Sequence, residues 1–150
     1  MSDKSKRVTI EPRKVALYCR VAREDDNAIN EQKQKLNIYA EKQGFDNLAV
    51  YADKGASGIR FDRPALLRLL NDVEAGTVDT VIVYDFARFS RNALEMGRFI
   101  EGVFPKYGVR FISVMDGFDS AEYESEADYM ASVNPIRVIL NLYNHLAGSS

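Results

Sequence analysis

Lys14-Val15-Ala16-Leu17-Tyr18-Cys19-Arg20-Val21-Ala22 is the stretch from which the rest of the fold can be read. Val15, Leu17, Cys19 and Val21 alternate with Ala16, Tyr18, Arg20 and Ala22, the period of two that a strand imposes. Both sets are mostly apolar, so the strand is expected at the centre of a sheet covered on both faces. Arg20 and Ala22 then share a face at its carboxyl end.

Outward from this strand, elements alternate. Residues 1–13 are polar and aperiodic and read as a loose arm. Arg23 to Ala28 is a polar loop, after which Ile29, Leu36 and Ala40 recur at helical spacing, with Gln32 on the same inward stripe and Gly44 as the stop. Leu48 to Tyr51 is a short strand, followed by the glycine-containing loop Asp53 to Gly58. Asp62 is the expected N-cap, and Pro64 the first turn, of a helix that buries Leu66, Leu67, Leu70 and Val73 and ends near Gly76. Val78 to Tyr84 is a third strand with Asp85 at its carboxyl end. Phe86 to Asn92 leads into a helix with Met96, Ile100 and Val103 inward, closed by Pro105 to Gly108. Val109 to Met115 is a fourth strand, Asp116 to Asp128 an exposed acidic loop. Asn134 and Pro135 open a last helix through Ile136, Ile139, Leu140 and Tyr143. This order predicts an α/β fold with a mainly parallel, four- to five-stranded sheet flanked by helices. In such sheets sites form at the carboxyl ends of strands, where Ala22, Asp53 and Asp85 fall.

Composition narrows the chemistry. A chain of 150 residues with 46% hydrophobic residues can build one ordinary core. It has no long apolar run, so no membrane span is expected, and its charged N-terminus lacks the apolar stretch of a secretory signal. The lone Cys19 suits a reducing cytoplasm. The single His145 argues against a histidine metal site or a Ser-His-Asp triad. Net charge is −2 and the pI about 5.5, unlike modules that hold nucleic acid by bulk charge. If DNA is the substrate, the basic residues must be concentrated at one site or the main grip must lie elsewhere.

Arg20, Arg63, Arg88 and Arg91 are candidates for such a site. Each stands at a strand end or helix start, and Arg88 and Arg91 are three apart, hence on one helical face. Guanidinium groups lined along one sheet edge would clamp phosphate oxygens, because the planar fork bonds two oxygens at once and stays charged at any physiological pH.

The order of the segments adds a resemblance. Tyr18-Cys19-Arg20-Val21-Ala22 resembles the Tyr-x-Arg-Val-Ser signature of the serine site-specific recombinases, the resolvase, invertase and large serine recombinase family. Gln32, in Ile29-Asn30-Glu31-Gln32, is similar to the glutamine of that family's next helix. Asp53 to Arg63 resembles its Asp-x-x-x-Ser-Gly followed by Asp-Arg-Pro. Asp85-Phe86-Ala87-Arg88-Phe89-Ser90-Arg91-Asn92 resembles its Asp-Leu-Ser-Arg-Phe-Gly-Arg-Asn. Val109 to Ile112, Asp116-Gly117 and the segment from Asn134 continue the likeness, which covers about residues 14 to 145. The resemblance implies a resolvase-like fold and DNA strand exchange through a 5′-phosphoserine intermediate, without metal or other cofactor. It implies that Arg20, Arg63, Arg88 and Arg91 hold the phosphate while Gln32 and Asp85 position them. For Asp85, capping the turn that follows is an equal alternative.

The chain departs from the family at the nucleophile, where Ala22 replaces serine. Cys19 lies on the opposite strand face, Ser57 matches a serine that is not a nucleophile in the family, and Ser90 stands between the arginines, so none replaces it. As written the chain is expected not to cleave DNA. Either the serine was changed to trap an inactive form, the reading that the matching clamp supports, or this is a naturally inactive regulatory or DNA-associated relative. A receiver-like phospho-acceptor domain, with Asp25, Asp26 and Asp85 as its acids, is a further alternative that leaves the arginines unexplained. The expected organisation is an arm over 1–13, a catalytic domain over 14–146 cut within its dimerisation helix, and a tail over 147–150. Expected partners are double-stranded DNA, mainly through a region beyond this chain, and further copies forming a dimer or tetramer. The arginines and Ala22 are expected around one shallow, open basic patch.

Overall fold

A computed structural model describes residues 13–22, 25–55, 63–90 and 92–122. Strand β1 (Lys14–Val21) leads into α1 (Asp26–Lys42), β2 (Leu48–Lys54), α2 (Pro64–Glu74) and β3 (Val78–Val83). Two short helices follow, α3 (Phe86–Phe89) and α4 (Ala93–Arg98), then a π-helical turn over Phe99–Val103 and α5 (Phe104–Lys106). Strands β4 (Arg110–Ser113) and β5 (Phe118–Asp119) and a 3₁₀ turn over Ser120–Glu122 complete the described chain.

The sheet order is β2-β1-β3-β4-β5, parallel except for the β4–β5 pair. β1 is central, as its two apolar faces require. Ala16 and Tyr18 join the core under α2 to α5, and Val15, Leu17 and Cys19 join the core under α1. Helices on both faces of a 2-1-3-4-5 order make this a doubly wound sheet, whose topological switch lies between the carboxyl ends of β1 and β3. The first core is aromatic. Phe89 is fully buried and meets Tyr18, Phe99, Phe104 and Phe111 edge-on, with ring centres 5.1–5.9 Å apart. The second core is aliphatic, with Ile29, Leu36 and Ala40 of α1 on Leu17, Ile82 and Ile112.

Several boundaries differ from the sequence expectation for physical reasons. Helix α1 starts earlier, because the Asp25 side chain accepts a hydrogen bond from the Ala28 N–H at 3.1 Å and draws residues 26–28 out of the supposed loop. Its inward stripe of Ile29, Gln32, Leu36 and Ala40 is the one expected. β2 runs on to Lys54, since β1 pairs with it as far as Val21. Helix α2 buries Ala65, Leu66, Leu69 and Val73, whereas Leu67 is exposed and Leu70 only partly covered. Four leucines in five positions fit more than one stripe, and packing against the sheet selects one. The helix expected beyond Asn92 starts there, with Asn92 as its cap through a bond from the Glu95 N–H, while the lead-in forms the short α3 and stops at Ser90, which is extended (φ −159°, ψ 143°). The first residues of the acidic segment, 116–122, form defined contacts. Asp116 accepts bonds from the Phe86 N–H and the Ser113 hydroxyl, and Asp119 holds Arg110 through two bonds of 2.8 and 3.0 Å. Ser57, Asp62, Arg91, the helix expected from Asn134 to Tyr143, most of the arm and the 147–150 tail lie outside the described residues.

Candidate active site

Arg20 is the last but one residue of β1, and β3 stops pairing two residues earlier, at Tyr18 opposite Val83. Its backbone therefore needs another partner. Gln32, buried on α1, supplies both: its Oε1 accepts from the Arg20 N–H at 2.9 Å and its Nε2 donates to the Arg20 carbonyl at 3.1 Å. One amide side chain thus does what a neighbouring strand would do, and it fixes the end of β1 to α1.

The Arg20 side chain goes to the opposite face and is 3% exposed. Its Nε donates to the Arg88 carbonyl at 3.0 Å and its Nη2 to the Ala87 carbonyl at 2.8 Å. Those carbonyls belong to α3, a helix too short to use them internally. Asp85 starts that helix: its Oδ1 accepts the Arg88 N–H at 3.0 Å and lies 3.8 Å from Arg88 Nη1. Of the two readings of Asp85, the cap is present in full and the ion pair is loose. Gln32, Arg20, Asp85 and Arg88 are thus one connected assembly at the switch point. Ala22 follows directly after β1 and is exposed beside it.

Arg63 reaches the same end of the sheet by another route. It is fully buried, its Nη1 donates to the Tyr18 hydroxyl at 3.4 Å, and its guanidinium lies 5.8 Å from the Tyr18 ring centre. Tyr18 donates in turn to Asp53 at 2.7 Å, and the Asp53 carboxylate accepts the N–H groups of Ala65 and Leu66 at 2.9 and 3.1 Å, capping α2. Burial drives the Tyr18 pKa well above the ordinary phenol range, so it remains a donor. Arg63 Nε and Nη2 have no hydrogen-bond partner among the described residues. Glu95 lies near enough for the charge of Arg63 to act on it, and accepts from Ser90 Oγ at 2.7 Å; burial outweighs both and raises its pKa.

The shallow, open patch of arginines expected from the sequence is therefore corrected for two members. Arg20 and Arg63 are interior groups, because the strand-end carbonyls and the Tyr18–Asp53 pair offer them partners inside the fold. Arg88, with a third of its side chain exposed, faces outward. Cys19 is buried on the α1 side with its thiol pushed up to about 12, and Ser90 spends its hydroxyl on Glu95 and on the Asn92 N–H. Tyr18 and Glu95 were missing from the sequence-derived site, and Asp53 stood at its edge without a role. A tyrosine inside a buried strand was the available signal, since its hydroxyl requires a partner. Among the described residues no helix is long and apolar enough to cross a membrane.

Known proteins agree with this architecture. The N-terminal catalytic domain of TP901-1 integrase superposes with a TM-score of 0.72 at 33% identity, over 89% of this chain and 97% of that one. The C-terminal catalytic domain of ISC1926 TnpA, an IS607-like serine recombinase, gives a TM-score of 0.60 at 31% identity, over 67% of this chain and 70% of that one. A putative DNA recombinase of Bacillus subtilis (strain 168) is 39% identical over 82 residues, which are 53% of this chain and only 16% of that protein. The family described as the resolvase N-terminal domain matches residues 15–134. That match spans the buried arginines, the strand-end glutamine and all of the described sheet but Lys14, and the chain belongs to the resolvase N-terminal domain family as a serine recombinase catalytic domain.

Proposed function

We propose that residues 14–146 form the catalytic unit of a site-specific DNA recombinase whose phosphate-handling frame is complete and whose chemistry is blocked at Ala22. In the serine form, the hydroxyl oxygen attacks the scissile phosphorus in line. The serine Oγ–P bond forms as the hydroxyl gives up its proton, the P–O3′ bond breaks, and the departing oxygen takes up a proton to become a 3′-hydroxyl. The 5′ phosphate stays on the protein, which conserves the bond for rejoining to a new partner. A methyl group at position 22 cannot perform the first step.

The observation that carries this reading is the connected assembly of Gln32, Arg20, Asp85 and Arg88 beside residue 22. Arg88 and Arg91 are the groups assigned to the phosphoryl oxygens directly. Arg20 contributes charge from within and fixes the turn that carries Arg88, with Gln32 and Asp85 as positioning residues. Arg63 adds a buried positive charge beneath the strand end. Such fixed charges stabilise the extra negative charge of the transition state without rearranging. The receiver reading fails on the family match and on Asp85, whose carboxylate is taken up in capping α3. The net charge of −2 supports a division of labour in which most of the grip on duplex DNA, and assembly with further copies, comes from outside this unit. A cytoplasmic location accords with the single buried thiol.

The test is Ala22→Ser in the protein carrying its DNA-binding region, given duplex DNA from the ends of the genetic element that encodes it. With metal chelated, the serine protein should become covalently attached to 5′ ends. Attachment by the alanine protein, or a strict need for a divalent metal, would overturn the mechanism.

A further inference from the structure

Tyr84 is the first residue past β3 and packs, half-buried, against the aliphatic core. Two cations lie within 6 Å of its ring centre. Lys35 Nζ, from the exposed side of α1, lies 5.2 Å from the ring centre, and Arg88 Cζ lies 5.9 Å from it. The negative face of a phenol ring attracts each cation, but the two repel each other. Two other cations of the fold are neutralised at close range: Lys54 lies 2.6 Å from Asp26, and Arg110 is bonded twice to Asp119. The pair at Tyr84 is not. Lys35 has no acidic partner among the described residues, Arg88 has only Asp85 at 3.8 Å, and Arg88 Nε is buried without a hydrogen-bond partner.

We propose that Lys35, Tyr84 and Arg88 form a shelf for a second backbone phosphate of duplex DNA, next to the one at residue 22. The proposal rests on Arg88 as a phosphate ligand and adds Lys35 as a contact and Tyr84 as its platform. An anion between the two cations removes their repulsion, and the ring restrains a lysine that would otherwise lose several rotamers on binding. The shelf is open, with Lys35 exposed and Arg88 partly so, which suits an extended backbone better than a small enclosed phosphate. It also gives an acidic chain a local positive site where the strand ends need one.

The experiment titrates this chain into a fluorescent 20-base-pair duplex of mixed sequence and measures affinity as a function of salt from 20 mM upward. Neutralising a side chain that meets a phosphate should weaken binding regardless of sequence and make the log–log salt slope shallower by about 1. Lys35→Gln and Arg88→Gln should each do so, whereas Lys42→Gln, an exposed lysine at the far end of α1, should leave the slope unchanged. If Arg88→Gln lowers the slope and Lys35→Gln does not, the shelf is wrong and the reading of Arg88 stands. If neither does, both are wrong, and a chain that fails to bind even at 20 mM salt overturns the shelf, which places two phosphate contacts on this unit. An equal effect from Lys42→Gln would reduce Lys35 to diffuse surface charge and overturn the shelf.

Discussion

The two faces of this sheet are packed by different means, and most of the buried polar side chains at its strand ends lie on one of them. Under α1 the core is aliphatic, and the buried polar side chain at its strand-end margin is Gln32. Under α2 to α5 it is aromatic, and its strand-end margin holds Arg20, Asp53, Arg63, Ser90 and Glu95, all buried. The site lies across both, because the backbone of Arg20 is held from the aliphatic side and its guanidinium from the aromatic side. Aromatic rings suit that margin: they bury large area and present faces on which a guanidinium can rest. The aliphatic face acts as a cover that contributes one positioning amide.

If the aromatic cluster is the foundation of the site, Phe89→Ala should be the most damaging change, at ~3–5 kcal/mol in urea unfolding. Phe89 touches four rings and stands between Arg88 and Ser90. A loss below that of Leu36→Ala on the other face would break the comparison. Next comes Asp53→Ala, which strands the Tyr18 hydroxyl and two N–H groups of α2 at once; at about 1 kcal/mol for each of these three donors the cost is about 3 kcal/mol. Gln32→Leu should cost less, about 1–3 kcal/mol, since it orphans only the Arg20 backbone pair. A larger loss for Gln32 than for Asp53 would make the aliphatic face the main anchor.

The smallest effect is a pH dependence. Burial raises the Glu95 pKa above its ordinary value, so the folded protein holds that proton more readily than the unfolded chain. Stability then falls as pH rises from the ordinary carboxylate range through the raised pKa, the reverse of a salt-bridged acid. Glu95→Gln lacks this term, so its stability relative to the unmodified chain should improve from pH 4 to pH 7. A change in the opposite direction would mean that attraction to Arg63 outweighs burial.

The period-two pattern of β1 and the stripe through Ile29, Gln32, Leu36 and Ala40 were legible because backbone geometry alone sets them. That Arg20, Asp85 and Arg88 gather at one end of the sheet was legible from their places at strand ends, whereas Gln32 entered through the family resemblance. That Arg20 and Arg63 turn inward was not, since sequence gives the end of the sheet and not the partner that awaits a side chain there. The choice of Leu69 over Leu67 belongs to packing. The break at Ser90 carried a readable signal: Ser90 and Asn92 are residue types that compete with helix and favour caps. The two-residue β5 is too short to show a period, and its pairing depends on the Arg110–Asp119 contact.

The central claim is that the frame around residue 22 lacks only a hydroxyl. A denaturing gel of covalent protein–DNA adducts, with metal chelated, compares the unmodified protein, Ala22→Ser, and Ala22→Ser with Arg88→Ala, each carrying its DNA-binding region. Loss of a serine nucleophile costs on the order of 10⁶ in rate in a protease, and loss of one transition-state charge partner ~10² or more. Adducts on 5′ ends should therefore form with Ala22→Ser alone. Their persistence at full rate without Arg88, or their absence from the serine protein on DNA that it binds, would contradict the account.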